Sequence, residues 1–311
     1  MTAPDVPKHC GLLVINKPRG LTSRQVVDQV EQWFPGHRVG HAGTLDPLAT
    51  GVLLVAIGPA TRLIEYAQEM PKTYRSVFRL GVVSDTDDAD GRIQEVANAP
   101  VPSRKAVTDA LGRFVGEIEQ IPPAYSAVHH EGRRAYEAAR RGGSVPLSPR
   151  RVVVYDIRLM SFEYPRLQVE IECGKGTYIR SLARDIGQVL GCGAIVEELE
   201  RRRIGPFRIE DALPLSASQT EAEAPLRPAT EALSGLPQVR LPDADFARLC
   251  QGQAVRYFPR DQALLEDGRE CVALGSSLLG AVVAEWQAER HLLIPRKVFR
   301  DILPKTTTTS G

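Results

Sequence analysis

Apolar residues along the chain come in short runs bounded by turn residues. GLLVINKP, residues 11–18, reads as a buried strand stopped by Pro18 and Gly20. Thr22 or Ser23 then offers an N-cap for a helix through Val26, Val27 and Val30. Strand-like runs recur at 51–57, 72–80, 152–159 and 167–173, each closed by turn residues. Within the last, RLQVEIECG alternates apolar and polar positions, as a half-buried strand does. Helical patterns fall at 103–114, 136–141 and 179–190. Strands far apart in the chain with helices between them predict an α+β domain, its sheet mixed, mainly antiparallel and flanked by helices.

From residue 214 to 237 the pattern turns polar and rich in Pro, Ala and Glu, which reads as a peripheral helix plus linker. A domain boundary near Leu236 follows. Short strand-like runs at 271–274, 279–286 and 291–294, separated by Gly and Asp, predict a small β-rich module. The expected organisation is one domain over 1–235, a second over 236–303, and a tail, 304–311, whose PKTTTTSG has nothing to bury and is expected to be disordered. No internal repeat is visible.

Composition changes this picture little. The 311 residues are 43% hydrophobic and 25% charged, as in an ordinary globular protein with a core of useful size. No apolar run approaches the roughly 18 residues that span a bilayer. The N-terminal MTAPDVPKHC lacks the layout of a secretory leader. Five cysteines, 10, 173, 192, 250 and 271, are scattered without a C-x-x-C pair, which argues against a disulfide framework or a structural zinc site and fits a reducing cytoplasm. A net charge of +1 excludes a uniformly basic nucleic-acid coat, yet local patches decide where phosphates land. Three candidates stand out: the stretch 129–151 with Arg133, Arg134, Arg140, Arg141, Arg150 and Arg151; the run Arg201, Arg202, Arg203; and Arg296, Lys297 and Arg300.

The segment GHAGTLDPLATGVLLVAIG, residues 40–58, holds one carboxylate, Asp46, on a turn that Pro47 fixes before an apolar strand. Alone, an Asp-Pro is a turn former. The flanking residues change that. NKPRGLTS (16–23), HAGTLDPLATGVL (41–53), KTYR (72–75), SDTDDADG (84–91), IPPAYSAVHHEGRRAYEAARRG (121–142), GKGTYIRSLARDIG (174–187) and ELERRRIGPF (198–207) stand in the order in which they resemble the motifs of the TruB family of pseudouridine synthases. The match covers about residues 11–207, and the C-terminal module looks like the PUA domain of such proteins.

The resemblance implies a tRNA enzyme that isomerises uridine 55 of the T-loop without guide RNA, cofactor or metal, as a cytoplasmic monomer gripping the T-arm. It places Asp46 as nucleophile, Arg180 as the guanidinium that pairs with it, and Tyr74 as the aromatic against the target base. Conversion of uridine to pseudouridine breaks the N1–C1′ bond, turns the base and rejoins it through C5. A carboxylate serves here as nucleophile toward either the sugar or the base. The base must be flipped out of the RNA, a cost offset by stacking in an aromatic pocket. Tyr178 and Leu199 are expected to complete that pocket, and His41 to enter the space the base leaves. Lys17 and Arg62 are expected at phosphates or in structural contacts, and Arg133, Arg134, Arg140 and Arg141 on a helical, RNA-gripping insertion within about 121–150.

Two other motifs lead nowhere by spacing. Asp85, Asp87, Asp88 and Asp90 lack the ligand pattern of a calcium loop, with Ala at 89 and no bidentate Glu, and read as a solvated acidic loop. GKGTY lacks the G-x-x-x-x-G-K-[ST] of a phosphate loop, and the histidines have no metal-ligand spacing. Competing readings are a non-catalytic RNA-binding protein on the same scaffold, a guide-RNA-dependent synthase of the dyskerin type, and a glycoside hydrolase. The presence of Asp46, Tyr74 and Arg180 disfavours the first, the thumb-like insertion and small C-terminal module the second, and the lack of a second carboxylate the third.

Overall fold

A strand with apolar side chains at nearly every position is suited to burial on both faces. That is the fate of β1 (Gly11–Lys17) and β3 (Thr50–Ile57), buried along almost their whole length. A computed structural model of the chain describes residues 9–124, 129–130, 133–134, 148–223, 225–259, 265–276 and 280–300. Between β1 and β3 lie α1 (Ser23–Trp33) and β2 (Val39–His41). Leu13 and Ile15 of β1, with Leu53 and Val55 of β3, meet Val26, Val27 and Val30 of α1. The alternate residues Leu12, Val14, Val52 and Leu54 face the other way. Thr22 caps α1 with a reciprocal bond to Gln25, a capping box that contributes about 1 kcal/mol.

After β3 come a 3-10 turn (Gly58–Leu63), α2 (Ile64–Glu69) and β4 (Lys72–Leu80), then the short pair β5 (Val82–Ser84) and β6 (Ile93–Glu95). Next are α3 (Arg104–Gly112), β7 (Gly116–Gln120), the two-residue strands β8 (His129–His130) and β9 (Arg133–Arg134), and the long hairpin β10 (Arg150–Glu163) and β11 (Arg166–Cys173). The first sheet is completed by α4 (Ile179–Val189), β12 (Ala194–Ile204), β13 (Phe207–Arg208) and β14 (Leu213–Pro214). Its strand order is β14-β1-β3-β12-β4-β11-β10-β7, with β2 on β3 and β13 on β12. All pairs are antiparallel except β1–β14 and β3–β12, so the fold is α+β as the hydrophobic pattern predicts. β4 and β11 bury alternate residues against Ile179, Leu182 and Ile186 of α4, which recur at helical spacing.

The insertion differs from its expectation. Arg133–Arg134 do not begin a helix: they form a strand paired with His129–His130, a small hairpin. The predicted helix over 136–141, with Arg140 and Arg141, lies outside the described residues.

The stretch 214–237 is not a free linker either. β14 adds to the edge of β1, and α5 (Gln219–Glu223) follows. Leu12 and Arg227 exchange backbone hydrogen bonds of 2.9 and 2.8 Å, and Ala229, Ala232 and Leu233 enter the core. The small apolar residues that made the segment look like a linker are the ones that pack. Beyond it, β15 (Gln238–Leu241), α6 (Asp243–Cys250), β16 (Val255–Arg256), β17 (Glu270–Gly275), β18 (Ala281–Gln287) and β19 (Leu292–Phe299) form a second sheet in the order β15-β17-β18-β19-β16. It has its own core around Phe246, Leu249 and Trp286, while Val272, Val283 and Phe299 share a cluster with Tyr66 and Met70 of the first sheet's layer.

Arg62 belongs to this junction and not to the pocket described below. Its guanidinium lies 4.9 Å from the Phe299 ring centroid and donates to the Val298 carbonyl at 2.9 Å. Lys297 pairs with Glu65 at 2.7 Å and sits over the Tyr66 ring. Phe299→Ala removes the ring at the centre of this junction. We expect it to lower the unfolding free energy by about 3–5 kcal/mol in urea titration. A loss under about 1 kcal/mol would mean that the second sheet is only loosely attached.

Candidate active site

The loop from Ala42 to Ala49, between β2 and β3, must hold one carboxylate still, and several elements do so. Gly43 (φ +99°) turns the chain where a side chain would strain it. Ser23, at the start of α1, accepts from the Leu45 amide at 2.8 Å and donates to its carbonyl at 3.1 Å. Gly20 donates from its amide to the Pro47 carbonyl at 2.8 Å. Lys17, fully buried, reaches the carbonyls of Pro18, Leu21 and Pro47 at 2.9, 2.6 and 3.4 Å. Burial pushes its ammonium down to about 8. The NKPRGLTS segment is therefore the clamp for the Asp46 turn. Of the two roles expected for Lys17, phosphate or structural contact, these bonds are the structural one, and Lys17 does not line the cavity described below.

Asp46 projects from this turn to Arg180 in the first turn of α4. Arg180 Nε lies 2.9 Å from Asp46 Oδ2 and Nη2 donates to Oδ1 at 3.2 Å, a two-pronged ion pair. Arg180 is 5% exposed. Its Nη1 donates to the Thr86 carbonyl at 2.9 Å and lies 3.6 Å from Asp88 Oδ2. One helical turn on, at the same face, Arg184 pairs with Asp87 at 3.0 Å and donates to the Ile121 carbonyl at 2.9 Å. The solvated acidic loop expected at 85–90 is thus corrected at two of its positions. Asp88 is buried and Asp87 half-buried, because both face arginines of α4. Burial pushes the Asp88 carboxyl up, against the Thr86 hydroxyl and Arg180, which pull it down.

A cavity of about 300 Å³ opens at Asp46, lined by Tyr74 of β4, Tyr178 at the N-cap of α4, Arg180, Leu199 of β12 and the 174–177 loop. Gln120 of β7 fixes Tyr178 through both its amide and its carbonyl, at 3.0 and 3.3 Å. Burial pushes the Tyr74 phenol up. Of the residues named from the sequence, Asp46, Tyr74, Arg180, Tyr178 and Leu199 come together here from separate segments of the chain. His41 stands beside the loop on β2, half-buried, outside the cavity wall; burial pushes its imidazole down, so the ring is neutral near pH 7. Arg133 and Arg134 lie in the short hairpin.

In two of the three basic patches the side chains already have partners within the protein. Arg201 is buried, Arg202 pairs with Glu200 and Glu210, and Arg203 with Glu172. Arg296 pairs with Glu285, Lys297 with Glu65, and Arg300 donates to the Cys250 carbonyl. Sequence reading missed Asp87, Asp88, Arg184, Gln120, Lys72 and Arg201 as parts of the site. For Lys72 a signal existed: it shares the buried face of β4 with Tyr74, Ser76 and Phe78, a position that seldom takes a lysine. Its ammonium is pushed down to about 8 by burial. Among the described residues no three ligating side chains cluster as a metal site.

Comparison with known proteins bears on this arrangement. Residues 31–179 match the model of the TruB family pseudouridylate synthase N-terminal domain, and residues 180–229 that of the tRNA pseudouridylate synthase B C-terminal domain. The join falls inside α4, so both matched segments build one sheet. The tRNA pseudouridine synthase B of Chromohalobacter salexigens is 43% identical over 247 residues, 78% of this chain and 80% of that one. That of Rhodopseudomonas palustris is 40% identical over 301 residues, 93% and 80%. A chain in the crystal structure of a Cbf5-Nop10-Gar1 complex superimposes with a TM-score of 0.72 at 26% identity, over 95% of this chain and 87% of that one.

Proposed function

The chain belongs to the TruB family of pseudouridylate synthases, and from that membership we propose that it isomerises uridine 55 in the T-loop of tRNA, unaided by guide RNA. It is an isomerase acting on tRNA uridine. The observation that carries the residue assignment is the two-pronged Arg180–Asp46 pair on the wall of a cavity lined by Tyr74 and Leu199. A cavity of about 300 Å³ is at the small end of ligand sites, suited to one extruded base and not to a longer strand.

In this reading Tyr74 stacks on the flipped uracil, with Leu199 and Tyr178 closing the wall. Asp46 acts as nucleophile, its charge paired and its oxygens aimed by Arg180. His41, neutral and beside the loop, fills the place the base vacates. No redox step, metal or group donor enters the balance, because reactant and product are isomers. The β-rich second sheet is read as a PUA-like RNA-binding domain, the first 235 residues as the catalytic domain, and the protein as a cytoplasmic monomer. No helix of the described residues is long and apolar enough to cross a membrane.

The test is incubation of the protein alone with unmodified tRNA transcript and mapping of pseudouridine by chemical labelling. One modified T-loop uridine is the expected result. The likeness to a chain of a multi-protein complex supports a second, guide-dependent reading. Modification only after addition of a guide RNA would select it.

The arginines of the insertion give a separate prediction. The quadruple variant Arg133→Ala, Arg134→Ala, Arg140→Ala, Arg141→Ala should bind tRNA more weakly at physiological salt. The slope of log affinity against log salt should flatten by roughly 0.7–0.9 for each phosphate that an arginine no longer neutralises. Turnover of fully bound tRNA should fall less, since Asp46 is untouched. Unchanged affinity and slope would make the segment an ordinary solvated surface.

A further inference from the structure

Arg201 heads the largest fully buried side chains of the described residues, 2% exposed, and no carboxylate pairs with it among them. It stands in β12 directly across from Tyr74 of β4, in register, and both side chains line the cavity beside Asp46. Its Nε donates to the Val52 carbonyl at 2.7 Å and its Nη2 to the Gly43 carbonyl at 3.1 Å. Gly43 is three residues before Asp46. Gly51 (φ +97°) permits this seat: a Cβ there would come within 2.3 Å of the Arg201 carbonyl oxygen. A buried cation without a carboxylate is costly, since water no longer solvates it and two neutral carbonyls replace that hydration only in part. Lys17 is likewise buried among carbonyls but does not line the cavity; Arg201 does, where a cation can act on charge that develops during a reaction.

We propose that Arg201 is a positioning residue for the isomerisation, holding the Tyr74 phenol and supporting its negative charge while Tyr74 accepts the proton from C5. This rests on the functional reading above. Once C5 has joined C1′, C5 carries both the ribose and its original hydrogen, and N1 is double-bonded to C6. The Tyr74 oxygen takes that hydrogen as a proton while its own phenolic proton passes to water. The C–H electron pair becomes the C5=C6 bond, the N1=C6 pair returns to N1, and N1 takes a proton from water. One proton has left C5, one has reached N1, and tyrosine is restored. Burial opposes a phenolate at Tyr74 and Arg201 opposes that penalty, while Cys173 on β11 and Asp46 add to it. Lys72, the neighbouring inward side chain of β4, is itself pushed down by burial and by Arg201.

The test uses tRNA carrying hydrogen or deuterium at uridine C5, with the parent protein and the variants Arg201→Gln, Arg201→Lys, Tyr74→Phe and Tyr74→Phe/Arg201→Gln. Folding is verified by thermal unfolding and by tRNA affinity. Arg201→Gln should lower kcat by about 10²-fold, the lower end for a general base, with KM within about twofold. Its deuterium effect should exceed the parent's, because proton loss from C5 becomes slower than the steps before it. Arg201→Lys, which keeps the charge, should recover at least about tenfold of that loss. Arg201→Gln should add nothing to Tyr74→Phe, because it acts through the phenol. Folded variants whose losses add independently, with the parent's isotope effect, would overturn the proposal and leave Arg201 a structural tie of the Asp46 loop. If Arg201→Gln does not fold, Arg201→Lys decides: the parent's isotope effect together with a loss that adds to that of Tyr74→Phe overturns the proposal. A parent protein that forms no pseudouridine in tRNA would instead defeat the functional reading itself.

Discussion

Asp46→Asn protein is expected to form no measurable pseudouridine, a loss of at least about 10⁴-fold, while binding tRNA within a few-fold of the parent. The scale is that seen when one member of a nucleophilic constellation is removed from another enzyme. The amide has nearly the shape of the carboxylate but no charge, and it is a poor nucleophile. The turn itself does not depend on the carboxylate: Ser23, Gly20 and Lys17 hold Leu45 and Pro47 through backbone atoms. Arg180 keeps Thr86 and Asp88 as partners. Stability should therefore change little, and affinity little, since most tRNA contacts are to the backbone of the RNA. The measurement is single-turnover pseudouridine formation with a homogeneous preparation free of deamidated protein. Turnover within about tenfold of the parent would remove Asp46 from the nucleophile's place.

Arg180→Met should have the next largest effect, on two properties at once. It leaves Asp88 buried without its cation and Asp46 without its clamp. Removing one partner of a buried pair costs about 3–5 kcal/mol, so the unfolding midpoint in urea should fall accordingly. The rate should fall by about 10²–10³-fold, the scale of one lost charge-orienting donor. Arg180→Lys should restore stability better than rate, because an ammonium keeps the charge but lacks the planar fork that fixes both oxygens of Asp46. Adding Asp88→Asn to Arg180→Met separates the two effects: it should recover stability by relieving the unpaired charge and leave the rate low. Full activity in Arg180→Met, with normal folding, would show that Asp46 needs no guanidinium beside it.

Elements whose signals are local are legible in the sequence alone. The apolar run 11–17, an N-cap at Thr22 or Ser23, which the structure gives to Thr22, the alternation of 167–173 and the helical pattern from 179 each appear in the structure where the pattern places them. These depend on neighbours along the chain, so one segment carries the whole signal. The TruB motifs likewise were legible, and with them Asp46, Tyr74, Arg180, Tyr178 and Leu199, which the structure brings to one cavity.

How charges and small residues are used emerges only in three dimensions. Arg201, Arg202 and Arg203 look alike in a string, yet strand register turns the first into the core and the others toward Glu200, Glu210 and Glu172. The four aspartates at 85–90 look solvated until α4 brings Arg180 and Arg184 against two of them, over sequence separations of about ninety residues. For Lys17 and Arg62 the sequence leaves phosphate and structural contacts open, until one meets the carbonyls of its own loop and the other the ring of Phe299. The segment 214–237 looks like a linker because its alanines carry no periodic signal, and it packs because Ala229, Ala232 and Leu233 meet apolar residues brought from distant parts of the chain. Whether a charged side chain meets water or a partner depends on which distant strand lies beside it, and pairing between distant strands is set by the register of the whole sheet.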